Sequence, residues 1–318
     1  MSQATIHLRP ATLDDIDSVV AIEAGFRPDE PLDPVLTRYE WETPEPGTNT
    51  ERWIAEADGR PVGYAMLFRP DWSQMTDRDS IAWVGWLPES DSILPELIES
   101  LEGRARAQGG KRLQVFCGED EAAITAALTA AGYRLDTTAK VWELDLQKNR
   151  DRVLALTETS RAAMAAQGIR LIPLSEHAVE DPLWALYEAH TDSRVDMPRS
   201  HEMMPVSYDV YRTWFGSPDR RAERIWIALD GDRVVGMSFL RFPPAGGRVW
   251  TGFTGTVRSH RGRGIARAVK METLAQAIEL GVGSVRTDND ERNAPMLHIN
   301  EELGYTSLPA YADYEKDL

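Results

Sequence analysis

The sequence predicts an α/β protein built from two tandem copies of one sheet-and-helix unit. Three observations carry that expectation. Trp53-Ile54-Ala55 with Gly59 and Val62-Gly63 recurs as Trp226-Ile227-Ala228 with Gly231 and Val235-Gly236, so Trp53 and Trp226, like Gly63 and Gly236, stand 173 residues apart. Each copy then reads as a strand, a tight Asp-Gly turn and a second strand, which is a hairpin signal. Finally, 318 residues is long for one small core and suits two domains of roughly 150 residues, here 1–150 and 151–318.

Taken in chain order, Ile6-His7-Leu8-Arg9-Pro10 reads as a strand before a helix start rich in Asp14 and Asp15, and Ile169-Arg170-Leu171-Ile172-Pro173 echoes it. Ala131-Gly132-Tyr133 and Leu303-Gly304-Tyr305 form another pair, with glycine as a helix stop and tyrosine opening the next extended segment. Arg150 to Gln167, charged and Ala-rich, reads as a helical connector. Val249 to Val257 is strand-like, and Ile265 to Leu280 has the period of an amphipathic helix.

Between those last two runs lies Arg261-Gly262-Arg263-Gly264-Ile265-Ala266. A glycine turn opening a helix aims several backbone N–H groups at one point, where the helix dipole adds positive potential. Gly262 and Gly264 can take φ > 0 and let an anion approach the backbone. Arg258, His260, Arg261, Arg263, Arg267 and Lys270 add positive charge nearby, which points to a phosphate-bearing ligand. Neither G-x-G-x-x-G nor a Walker loop fits the spacing. The first copy has Val84-Gly85-Trp86-Leu87-Pro88-Glu89-Ser90-Asp91 in this place, acidic and without paired glycines, so it is expected to be degenerate.

Composition narrows the function classes. Fifty-one Asp and Glu against 35 Lys and Arg give a net charge of −16, which disfavours nucleic acid and favours cationic partners such as amines. No long apolar run or signal-like N-terminus is present, so neither membrane insertion nor export is expected. The lone Cys117 cannot form an internal disulfide, which suits a cytoplasmic protein. No metal site is expected, and oligomeric state is left open.

The R-x-x-G-x-A spacing of Arg261 to Ala266 resembles the pyrophosphate loop of the GNAT superfamily of acyl-CoA-dependent N-acetyltransferases. Thr287-Asp288-Asn289-Asp290-Glu291-Arg292-Asn293, followed by Met296, Asn300 and Leu303-Gly304-Tyr305, resembles that family's second half. The resemblance implies two GNAT-like domains, each with a mixed, centrally splayed β-sheet flanked by helices, and acetyl-CoA as co-substrate. Among two-domain, actinobacterial-type members the architecture is distantly similar to mycothiol synthase, although the acceptor-side residues show no match to it. It further implies that Arg261, Gly262, Arg263, Gly264, Ile265 and Ala266 hold the pyrophosphate. Arg258 and Arg267 would lie near phosphates, and Asn289, Asn293 and Asn300 along the pantetheine arm.

The implied reaction is direct attack of a primary amine, expected to belong to a small molecule, on the thioester. Such an amine must lose a proton first, and a backbone N–H around Thr256 and Val257 would meet the developing oxyanion. The strand Trp250 to Val257 carries no acid, although Gly252 and Gly255 permit a bulge. Candidate bases are therefore Glu188, His190, Asp192, Asp196, His201 and Glu202. Where many relatives place a tyrosine acid stands Asn300, leaving Tyr305, Tyr311 or Tyr314 as substitutes. Two other expectations stay open: a non-catalytic acyl-CoA-binding or regulatory protein, and an acetyltransferase acting on protein lysines or N-termini.

Overall fold

The computed structural model describes residues 6–70, 80–196 and 206–318. By contact density the chain divides into two units, residues 1–139 with 245–247 and 309–318, and residues 140–244 with 248–308.

The first unit starts with β1 (His7–Pro10), α1 (Ile16–Phe26), α2 (Pro34–Glu42), β2 (Thr48–Ala57) and β3 (Arg60–Pro70). Asp58 at φ 50° and Gly59 at φ 73° make the β2–β3 turn, the paired left-handed conformation that Asp-Gly favours. Then come β4 (Ser80–Trp86), α3 (Leu94–Ala107), β5 (Arg112–Gly118), α4 (Ala122–Ala130) and the start of β6 (Arg134–Asp145). Strands β1 to β4 are antiparallel neighbours and β4 runs parallel to β5. Helix α3 lays Leu94, Leu97, Ile98, Leu101 and Ala105, one helical face, onto Leu67, Val84, Leu113 and Val115 of the sheet.

The second unit takes β6 from Lys140 onward, then α5 (Arg150–Ala165), β7 (Ile169–Pro173), α6 (Pro182–Arg194), α7 (Tyr208–Phe215), β8 (Ile225–Asp230) and β9 (Arg233–Arg241). It continues through β10 (Val249–Thr256), α8 (Ile265–Glu279), β11 (Ser284–Asp290), α9 (Ala294–Leu303) and the first residues of β12 (Thr306–Asp317). Its strand order, β7-β8-β9-β10-β11-β6, repeats the plan of the first unit: four antiparallel strands followed by a parallel partner. Helix α8 differs from its amphipathic expectation. Lys270, Glu272 and Thr273 are as buried as Val269 and Leu274, because α5 packs on the side away from the sheet. There Arg161 of α5 binds Glu272 through Nε and Nη2, at 2.7 and 2.8 Å.

The units do not follow a cut at residue 150. The strand after β5 in the first unit is the end of β12, with Tyr311 opposite Gly118 and Lys316 opposite Leu113, while the strand beside β11 in the second is β6. The last strands of the two sequence copies are thus exchanged.

Candidate functional site

The site starts where β10 and β11 part. They pair only at Val249↔Val285 and Trp250↔Arg286, and the ladder between β10 and β9 shifts register between Thr251 and Phe253, at Gly252. That is the bulge the two glycines allow. A Cβ on Gly252 would stand 2.1 Å from the Phe239 ring, and one on Gly255 would stand 2.6 Å from the Phe253 ring. Beyond Trp250 the strands splay, and residues 251–256 face Thr287, Asp288 and Asn289 across a cavity of about 640 Å³.

Its other wall is the glycine turn. Gly262 and Gly264 take φ 75° and 80°, and Gly264 is the N-cap of α8 with no side chain capping the helix. The first N–H groups of α8 therefore lack partners within the helix, the condition for anion binding. Gly236 seats this helix start: a Cβ there would fall 2.4 Å from Ile265 Cγ2. Gly262, Gly264, Ile265, Ala266, Arg261 and Arg267 all line the cavity, as does Thr256. Val257 corrects its expectation: it is buried, and its N–H donates to the Val235 carbonyl at 3.0 Å. In an antiparallel ladder the alternate N–H groups point the other way, so that of Thr256 is aimed at the splay.

Several expected residues are turned elsewhere. Arg263 lies off the cavity wall and donates to Gln167 Oε1 at 3.0 Å. Arg258, also off the wall, grips Asp196, and Arg261 Nη1 donates to the same carboxylate at 2.7 Å. Those two arginines hold Asp196 down at about 2, below the ordinary carboxylate range. Asp192 accepts the Arg258 backbone N–H at 2.7 Å. Lys270, expected beside the turn, is fully buried behind it.

The expected acid-base residues fare worse. Glu188 is exposed on α6 and does not line the cavity, and His190 is buried against Phe253 and Tyr211, at 4.5 and 5.1 Å between rings. His201 and Glu202 fall outside the described residues. Tyr305 is buried in the core, which raises its hydroxyl above the usual tyrosine range. Tyr311 and Tyr314 belong to the first unit, where Tyr311 donates to Glu30 at 2.5 Å. Asn289 and Asn293 line the cavity, but Asn300 is wholly buried and reaches it only through Asn289. Sequence reasoning missed Asp288, Ser193 and Thr251 on the wall; Asp288 stood inside the quoted motif, next to Asn289.

In the first unit the corresponding space is filled from within. The Glu23 carboxylate lies where a Gly85 Cβ would be, 2.2 Å from Oε1, and accepts from Trp83 Nε1 at 3.0 Å. Phe26 packs on Trp86, and Arg27 stacks on Trp83 while binding Glu121 through two nitrogens.

Residues 183–305 match the acetyltransferase (GNAT) family. This part of the chain is similar to GNAT domains. A tandem GNAT protein from the clavulanic acid biosynthesis pathway, its structure determined without AcCoA, superposes with a TM-score of 0.73 at 19% identity over 98% of both chains. A GCN5-related N-acetyltransferase from Sphaerobacter thermophilus gives 0.68 at 18%, covering 98% of this chain and 95% of that one. A GNAT-family acetyltransferase from Colwellia psychrerythraea gives 0.58 at 13%, covering 97% and 99%. No curated protein sequence matches the chain. The tandem GNAT fold accounts for the doubled sheet plan, and the matched segment contains the splay and the glycine turn. No described helix is long and apolar enough to cross a membrane.

Proposed function

We propose that the second unit transfers an acetyl group from acetyl-CoA to the primary amine of a small molecule. The observation that carries this reading is the junction of the β10–β11 splay with the left-handed Gly262–Gly264 turn in one cavity. The residues fit the co-substrate. The uncapped N–H groups of α8 with Arg261 and Arg267 suit the pyrophosphate, and Asn289 and Asn293 suit the pantetheine amides. Acetyl-CoA supplies a thioester whose carbonyl carbon accepts the amine nitrogen: the C–N bond forms, the C–S bond breaks, and sulfur leaves as thiolate. The Thr256 N–H stands on the wall for the carbonyl oxygen. Asp288, the exposed carboxylate of β11 on that wall, takes the proton lost by the amine.

A second reading is acyl-CoA binding without turnover, favoured because Glu188, His190, Asn300 and Tyr305 all lie off the cavity. Thiol release from acetyl-CoA across a panel of amines, with calorimetric acetyl-CoA binding alongside, separates the two. Release with any amine supports transfer, binding without release supports the second reading, and no binding overturns both.

A further inference from the structure

Lys270 is the one lysine buried among the described residues, at 0% exposure on a helix that forms a wall of the site. Burying an ammonium is unfavourable unless it meets acceptors. Its Nζ donates to Asn300 Oδ1 at 2.7 Å and lies 4.9 Å from the centre of the Tyr305 ring. Asn300, also at 0% exposure, then donates from Nδ2 to Asn289 Oδ1 at 2.7 Å, and Asn289 stands on the cavity wall. While Lys270 carries its third proton, the chain of side chains has a direction set by chemistry. An amide can be turned either way, but an ammonium has only donors, so it fixes the oxygen of Asn300 toward itself. That leaves the Asn300 N–H groups for Asn289, fixes the Asn289 oxygen toward the core, and leaves the Asn289 Nδ2 as the group offered to the cavity.

We propose that Lys270 is a positioning residue that, through Asn300, sets Asn289 as a hydrogen-bond donor for a carbonyl oxygen on the pantetheine arm of the bound thioester. This rests on the acyl-CoA reading above. It assigns Asn300 a place behind the site, which explains why that side chain is buried although its spacing suggested direct contact. Burial, with no carboxylate beside it among the described residues, lowers Lys270 to about 7, so its bond to Asn300 is strongest where the ammonium form persists. Two independent elements supply the chain, α8 giving the lysine and α9 the Asn300 that meets β11, so it holds the floor of the splay to the helix that carries the glycine turn.

The test compares two ligands by calorimetry: acetyl-CoA, and adenosine 3′,5′-bisphosphate, which has the nucleotide end but no pantetheine. Lys270→Met removes the donor, whereas Lys270→Gln keeps an N–H in nearly the same volume. The expected result is a roughly tenfold loss of acetyl-CoA affinity in K270M, substantial recovery in K270Q, and unchanged bisphosphate affinity in both. Asn289→Asp should show the same selective loss, and K270M combined with N289D should be no weaker than N289D alone, because the two act in series. Equal loss of both ligands in K270M, or additive losses in the double variant, overturns the proposal. If K270M is too unstable to assay, N289D and K270Q decide it: a failure of N289D to weaken acetyl-CoA selectively overturns it. Wild-type protein that binds neither ligand overturns the acyl-CoA reading, whereas binding of both with no selective effect overturns this inference alone.

Discussion

Asp196 holds Arg258 by both carboxylate oxygens, at 2.8 and 2.9 Å, and the same carboxylate takes a third hydrogen bond from Arg261. A carboxylate therefore sits on two of the cations that the sequence assigns to phosphates, and under the proposed acyl-CoA reading an incoming pyrophosphate would compete with it. Asp196→Asn should tighten CoA binding by about two- to fivefold at low salt, with the gain fading as ionic strength rises. Calorimetry at two salt concentrations reads this, and weaker binding in the variant would count against the competition. The depressed folded-state pKa of Asp196, about 2, makes the pair's contribution to stability complete above the unfolded aspartate range and lost only as pH falls toward that value.

Gly264 has open space around its missing Cβ, the nearest atom being Met164 Cε at 3.8 Å, so only its φ of 80° restricts the position. Gly264→Val should strain the backbone by about 1–2 kcal/mol and disturb the start of α8. CoA affinity should fall beyond detection while urea denaturation shows a folded protein of slightly lower stability.

Gly236 is limited by space instead. Gly236→Ala places a methyl against Ile265, the first residue of α8, and overpacking of this kind costs about 1–3 kcal/mol. Thermal unfolding should shift downward, and CoA affinity should fall with it as the helix start is pushed off β9. A variant of unchanged stability would show that the helix adjusts freely.

Glu23 is almost wholly buried, and that desolvation raises its carboxyl pKa despite Arg27 and Trp83 beside it. For an acid raised in the folded state, stability falls as pH climbs from the unfolded glutamate value through the folded one. Glu23→Gln keeps an acceptor for Trp83 and should be more stable than wild type at pH 8, with the difference vanishing near pH 4. Melting curves across that range check the sign.

Arg161→Ala leaves Glu272 buried without its two-nitrogen partner. The expected destabilisation is about 2 kcal/mol, moderated because Arg161 itself is half exposed, and it should appear in urea denaturation of the full chain.

The fold was legible because its signals are local. Asp58-Gly59 dictates a hairpin turn through two adjacent residues, and Gly264 and Gly304 mark a helix start and a helix end through their own φ angles. The glycine turn was legible for the same reason. What stayed hidden depends on contacts distant in sequence. Spacing alone put Asn300 in the site, yet which way α9 turns it depends on Lys270, 30 positions earlier. Arg263 looked equivalent to Arg261 until Gln167 claimed it, and Val257 looked like an oxyanion donor until its register with Val235 placed its N–H in the ladder. Polar residues inside α8 could not announce their burial, since α5 covers them from another part of the chain.

The exchange of last strands has a consequence for the order in which the molecule is completed. During synthesis β1 to β5 emerge early, but the edge of β5 stays open until Tyr311 to Asp317 arrive to lie along it. An unpaired edge is a template for any passing strand, and pairing across so long a separation is slow. The half made first is therefore the half finished last, and misassembly should concentrate at β5, where a neighbouring copy's β12 could bind in place of its own.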